Sequence, residues 1–290
     1  MMTDKPLQGV RIVVTRSKKQ AASLTSKFKS LGAEVYEFPV ISITPPDSWQ
    51  PLDDAIAKIK QYDWVLFASA NAVDAFMARS EVVGIGKEEL DFTKFAVIGP
   101  GTALGLEERG IKPSFCPSTF IAETLVSEFP GYPNLQGKRI LWPRTNVGRP
   151  YVLDKMTEAG AKIDVVESYH TSLPANEQEI AERLTTLLWK NVIDVITLAS
   201  AQSARNLKSI LSTGLKKKLG DRNLEVPIGM DSITYALEGV VVATIGPETS
   251  AAARKHLGRV DIEAKVFTVD GLVDAVVEGV QLVLQEQQKT

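Results

Sequence analysis

Asp63-Trp64-Val65-Leu66-Phe67-Ala68-Ser69-Ala70 and Asp194-Val195-Ile196-Thr197-Leu198-Ala199-Ser200-Ala201 are one unit written twice. An aspartate opens each copy, a mostly apolar run follows, and a serine closes it just before a helical pattern. That is the profile of a strand buried on both faces that hands over to a helix. Two further units repeat around it. Val13-Val14-Thr15-Arg16 leads through a helical stretch to Gly32-Ala33-Glu34-Val35, and Leu141-Trp142-Pro143-Arg144 leads through another to Gly160-Ala161-Lys162-Ile163. Arg144 follows Arg16, and Gly160 follows Gly32, by the same 128 residues. Val97-Ile98-Gly99-Pro100-Gly101-Thr102 returns as Thr244-Ile245-Gly246-Pro247-Glu248-Thr249, and Phe120 to Val126 is echoed by Phe267 to Val273. Two copies are too few for a solenoid. The pattern predicts two pseudo-equivalent α/β domains facing one another across a cleft, a common place for a ligand.

Strand-then-helix alternation runs along the whole chain. Lys18 to Leu31 places Ala21, Leu24, Phe28 and Leu31 at helical spacing and stops at Gly32. Strands are predicted at Val10–Val14, Trp64–Phe67, Phe95–Ile98, Pro113–Phe115, Arg139–Trp142, Ile163–Val166, Val192–Leu198, Val240–Ile245 and Lys265–Val269, with helices between them. The Lys216 to Arg222 charge cluster reads as a solvated loop or helix end. The alternation predicts parallel, flavodoxin-like sheets covered by helices on both faces. In such sheets ligands lie beyond the carboxyl ends of the strands. Two partitions fit: consecutive domains joined near Gly131–Gly137, or a crossover at the extended runs Val40–Thr44 and Ser168–Ser172, which both continue into prolines (Pro45, Pro174). The second is favoured. It joins residues 1–39 with 173–290 in a discontinuous domain and makes 45–167 the other. Residues 40–44 and 168–172 then form a two-stranded β linker.

Composition narrows the function. At 44% hydrophobic and 23% charged residues, with a net charge of −2, the 290-residue chain is an ordinary globular one with no general affinity for nucleic acid. Met1 to Gly9 is polar, and no apolar run is long enough to span a bilayer, so a cytoplasmic protein without membrane contact is expected. A single cysteine, Cys116, excludes an internal disulfide and reads as a packed strand-end residue, and two histidines argue against a zinc site.

The predicted carboxyl edges carry Thr15, Arg16, Ser69, Thr102, Arg144, Ser200 and Thr249. Ser69 and Ser200 stand where a serine caps a helix, and the amides that follow, at Ala70 and Asn71 or at Ala201, can receive an anion. A structural cap alone would also explain either serine; their duplication favours a ligand. Gly99-Pro100-Gly101-Thr102 and its copy are neither a Walker loop nor a dinucleotide fingerprint. Arg16, Arg144 and Arg149, the last beside Gly148, match the planar geometry of carboxylates. Tyr169, in Glu167-Ser168-Tyr169-His170-Thr171, borders the expected cleft and is the best available proton donor, while alternation turns His170 to the opposite face. No nucleophile elbow or catalytic cysteine pattern is present. Edges rich in hydroxyls and amides fit binding and orienting an anionic ligand. They equally fit a two-lobed binding or sensor module that holds an anionic small molecule without chemistry.

Over nearly its full length the chain resembles the uroporphyrinogen-III synthase family. The resemblance rests on Val14-Thr15-Arg16, Gly32 to Val35 with Phe38-Pro39, Phe67 to Val73, Ile98 to Ala103, Gly148-Arg149, Tyr169-His170-Thr171 and Ile245 to Thr249. It implies two α/β domains joined by a two-stranded linker, and a lyase that needs no cofactor or metal. The reaction implied is dehydration and closure of hydroxymethylbilane, a linear tetrapyrrole, with inversion of its last ring. With this reaction, the edge residues read above become the expected site: Tyr169 as the catalytic residue and Thr15, Arg16, Ser69, Ala70, Asn71, Thr102, Arg144, Gly148, Arg149, Ser200, Ala201 and Thr249 as substrate contacts. A monomer in transient contact with the upstream bilane-forming enzyme is expected.

Overall fold

A computed structural model describes residues 5–146, 150–222 and 231–287. The strands are β1 (Arg11–Val14), β2 (Glu34–Glu37), β3 (Ser42–Thr44), β4 (Trp64–Phe67), β5 (Lys94–Val97), β6 (Arg139–Thr145), β7 (Lys162–Ser172), β8 (Val195–Leu198), β9 (Val241–Thr244) and β10 (Ile262–Glu263). They form two five-stranded sheets, in the orders β10-β9-β8-β1-β2 and β3-β7-β6-β4-β5. The strand pairs β1–β2, β1–β8, β8–β9, β9–β10, β4–β5, β4–β6 and β6–β7 are all parallel. The chain divides into two compact units, Met1–Ser42 with Ser172–Thr290, and Ile43–Thr171. Gly131–Gly137 lies inside the second.

The first unit reads β2-β1-β8-β9-β10 across its sheet and the second reads β7-β6-β4-β5, with Phe115 bridging to Ala96 beyond β5. Each sheet therefore presents the repeated sequence units in the same spatial order. Alternate residues of each central strand enter different cores, because successive side chains point to opposite faces. Val13 and Ile196 pack with Leu184 and Leu207, whereas Ile12, Val14 and Val195 pack with Leu24 and Val276. In the second unit Val65, Phe67 and Leu141 pack with Phe76, and Trp64, Leu66 and Ile140 pack with Leu125 and Met156. Burial on both faces explains why the central stretches of these strands are mostly apolar.

Duplicated polar devices fix the register. The Asp194 carboxylate accepts the Arg11 amide at 2.8 Å, and the Asp63 carboxylate accepts the Arg139 amide at 2.9 Å. The aspartate that opens each central repeat thus pins the start of the neighbouring strand. Helices Lys18–Ser30 and Tyr151–Glu158 end alike: the Ala33 amide bonds the Phe28 carbonyl, and the Ala161 amide bonds the Met156 carbonyl. Gly32 and Gly160 supply the left-handed residue of this Schellman turn, at φ 97° and 96°.

Of the two readings of the Lys216–Arg222 cluster the structure gives the helix end, since helix Ala201–Arg222 runs through it. Two expectations change. The last strand is Ile262–Glu263 instead of Lys265–Val269, because Ile262 is buried while Val266 is 61% exposed. Cys116 is exposed, since Phe115 makes only an isolated bridge and the segment never becomes a packed strand.

Candidate active site

Two residues beyond the end of β4 stands Ser69, the N-cap of helix Ala70–Val83. Its Oγ accepts the Ala72 amide at 3.2 Å and lies 2.9 Å from the Tyr169 hydroxyl. Tyr169 sits on β7, in register with Thr145 of β6, and only 8% of it is exposed. Burial pushes its phenol above the ordinary tyrosine range, against hydrogen bonds from Ser69 and Asn71 and the positive charge of Arg144. The phenol therefore keeps its proton at neutral pH. Residues far apart in sequence, Ser69, Asn71, Arg144 and Tyr169, come together at the carboxyl edge of one sheet.

Arg144 lies with its guanidinium over the Trp142 indole, 4.5 Å from the ring centroid. Burial lowers its pKa, yet a guanidinium remains charged. The buried Trp142 Nε1 has no acceptor, so a donor without a partner stands beside this cation. Sequence reasoning missed three polar neighbours. Thr145 and Thr171 bring their hydroxyls within 3.2 Å of each other, and the Asn146 side-chain oxygen accepts the Thr171 amide at 3.2 Å. The available signal was Thr145-Asn146 following Arg144 at a strand end.

In the first unit Arg16 follows β1, is half-buried, and has its pKa lowered by that burial. Among the described residues no carboxylate pairs with it. Ser200 caps helix Ala201–Arg222, accepting the Ser203 amide at 3.1 Å, while the Ser203 hydroxyl donates back to the Ser200 carbonyl. At both helix starts the first amides, those of Ala70 and Ala201, have no acceptor within their own helix. Thr102 and Thr249 occupy the same place in the first turns of helices Pro100–Glu107 and Pro247–Leu257, and both are largely buried.

Thr15 requires a correction. It is fully buried, and its hydroxyl donates to the Thr197 carbonyl at 2.7 Å, while the Thr197 hydroxyl donates to the Val13 carbonyl at 3.0 Å. The pair staples β1 to β8, so that hydroxyl is not a substrate contact. Gly148 and Arg149 lie outside the described residues. Among the described residues no group of three or more His, Cys, Asp or Glu could hold a metal ion, and no helix is long and apolar enough to cross a membrane.

Both α/β sheets thus carry a serine-capped helix start and an arginine at the carboxyl edge, with a protonated tyrosine beside one of those edges. The family profile described as uroporphyrinogen-III synthase HemD matches residues 22–274. The chain belongs to the uroporphyrinogen-III synthase family. It is 33% identical to the uroporphyrinogen-III synthase of Synechococcus elongatus over 276 residues, which is 95% of this chain and 97% of that one. It is 22% identical to the enzyme of the same name from Chlorobaculum parvum, over 93% of this chain and 99% of that one. The crystal structure of a mutant uroporphyrinogen III synthase from Thermus thermophilus superposes with a TM-score of 0.65 at 16% identity, covering 94% of this chain and all of that one, and so shares the fold.

Proposed function

We propose that this chain closes hydroxymethylbilane to uroporphyrinogen III, with loss of water and inversion of the last ring, and that Tyr169 protonates the departing hydroxyl. The observation that carries the assignment of Tyr169 is its buried, protonated phenol 2.9 Å from the Ser69 hydroxyl at a strand end. The bilane cyclises readily by itself to the unrearranged ring. The protein's task is then to hold one geometry and to help water leave. Each unit offers carboxylate contacts at the edge of its own sheet. In one these are the Ala70 and Asn71 amides with Thr102 and with Arg144 beside the Trp142 indole; in the other, Arg16, the Ala201 amide, Ser200 and Thr249. Gly148 and Arg149 complete the proposed set. The enzyme works as a monomer in the cytoplasm and receives the bilane in transient contact with the enzyme that makes it.

The test is incubation of the purified protein with freshly prepared hydroxymethylbilane, followed by separation of the product isomers. The expected result is the inverted isomer in excess over the ring formed spontaneously. Release of the unrearranged ring alone, at the spontaneous rate, would overturn the assignment.

A further inference from the structure

The pairing of β6 with β7 is regular from Arg139↔Lys162 to Arg144↔Glu167, and the next pair is Thr145↔Tyr169. Ser168 is left over, a β-bulge of one residue immediately before the tyrosine. Its effect follows from the period of a strand. Val166 faces the core cluster that also contains Phe67 and Phe76. Strict alternation from Val166 would put Ser168 on that face and Tyr169 on the other, away from Ser69. The extra residue returns Tyr169 to the Val166 face, and Ser168 and Tyr169 are buried in succession. Ser168 itself is fully buried, and its hydroxyl donates to the Arg144 carbonyl at 3.3 Å, on the partner strand where the register breaks. In the first unit the β1–β2 register runs from Arg11↔Glu34 to Val14↔Glu37, and the Phe38 amide on the Val14 carbonyl is followed by the Val40 amide on the Thr15 carbonyl, a slip of one residue there too. Both copies therefore carry an extra residue at this edge, and the second uses it to turn a tyrosine.

We infer that Ser168 is a positioning residue: its tethered bulge aims the Tyr169 phenol at Ser69 and so sets the geometry of the proton donor. The inference rests on the reading of Tyr169 as that donor. Ser168→Val and Ser168→Thr place the same added volume in the site and differ in the hydroxyl. The expected result with hydroxymethylbilane is that the Val enzyme loses about 10–100-fold in kcat, the scale of a misplaced catalytic group. Its KM should stay within about twofold, since uniform binding is untouched, and its product ratio should shift toward the unrearranged ring. The Thr enzyme should recover most of the rate. Ser168→Ala, which adds no volume, should behave like Val and covers the case in which the larger side chains do not fold.

The deciding measurement is the same change in a Tyr169→Phe background. If Ser168 acts through the phenol, its loss there has no further effect on rate or isomer ratio. A Val or Ala enzyme with normal kcat, a Thr enzyme no better than Val, or a full additional loss on top of Tyr169→Phe would each overturn the inference. A Tyr169→Phe enzyme with normal turnover would instead overturn the donor reading on which it rests.

Discussion

Tyr169→Phe separates a chemical role from a packing role because the structure gives the two effects different sizes. The substitution keeps the buried ring and its contacts with the surrounding core and removes one oxygen. That oxygen lies 2.9 Å from Ser69 Oγ, and a hydrogen bond of this kind contributes about 1 kcal/mol. Ser69 Oγ is not stranded by the change, since it still accepts the Ala72 amide at 3.2 Å. The melting temperature should therefore fall by only a few degrees, leaving the protein folded. The rate should respond differently. A positioned acid contributes about 10²–10⁴-fold, equivalent to about 2.7–5.4 kcal/mol of barrier.

The assay is turnover of fresh hydroxymethylbilane per folded molecule, with both product isomers quantified and a thermal melt on the same preparation. Slow enzymatic closure hands the bilane to its spontaneous route, so the unrearranged isomer should rise as the rate falls. Product affinity should change little, because the ring surface remains. Unchanged turnover and isomer ratio, with or without a lower melting temperature, would refute the proton-donor role and leave amides and bound water to assist the leaving group.

Because burial raises the Tyr169 pKa above its usual value near 10, loss of kcat through its ionisation should begin only above about pH 10; an alkaline limb near pH 8 that vanishes in Tyr169→Phe would contradict this. Arg16→Gln removes a half-buried cation with no carboxylate partner among the described residues, so stability should hold or rise while product affinity falls by about 1.5–3 kcal/mol; calorimetric binding beside a melt measures both. Gly246→Ala puts a Cβ 2.8 Å from the Phe267 ring, whereas Gly99→Ala meets Phe120 at 3.4 Å; denaturant titration should show the first losing about 1–3 kcal/mol and the second clearly less, and equal losses would negate the packing argument.

The repeat made the fold readable because its physical causes are local. A short apolar run that opens on an aspartate and closes on a serine before a helical pattern fits a strand buried on both faces, and Gly32 and Gly160 mark helix ends because a left-handed residue completes the turn found there. The site was legible in part. Ser69, Ser200 and Arg144 sit at strand ends as such units require. Thr15 misled because it precedes the edge by one step, where its hydroxyl serves the neighbouring strand. The contact of Ser69 with Tyr169 spans 100 residues, and no local rule announces it. The bulge at Ser168 was equally hidden, since the residues around it fit an ordinary alternating strand. The last strand moved for a third reason: Gly271 lets the Val266 carbonyl come within 2.0 Å of where a Cβ would stand, so residues beyond Glu263 fold over a helix start instead of extending.

The order of repeated units along the chain makes a separate forecast about folding. In sequence they run as three units and then the same three again. In space β1 and β2 of the first set complete the sheet of β8, β9 and β10, and β6 and β7 of the second set complete the sheet of β4 and β5. If each sheet is an independent folding unit, cutting the chain by sequence halves must leave both pieces incomplete. A fragment of residues 1–134 would lack β6, the central strand that β4 needs, while retaining β1 and β2 with nothing beside them but each other. Residues 43–171 would instead keep β4 to β7 and both apolar clusters around Phe67 and Trp64, in a size range where single domains fold alone. We expect the 43–171 fragment to melt cooperatively and to protect the β4 and β6 amides from exchange, and the 1–134 fragment to do neither. A chain in which 43–171 is replaced by a short flexible linker should fold as well, because Ser42 and Ser172, the residues it would join, belong to the neighbouring strands β3 and β7. A cooperative 1–134 fragment, or a 43–171 fragment without exchange protection, would overturn the view that each sheet is an independent folding unit.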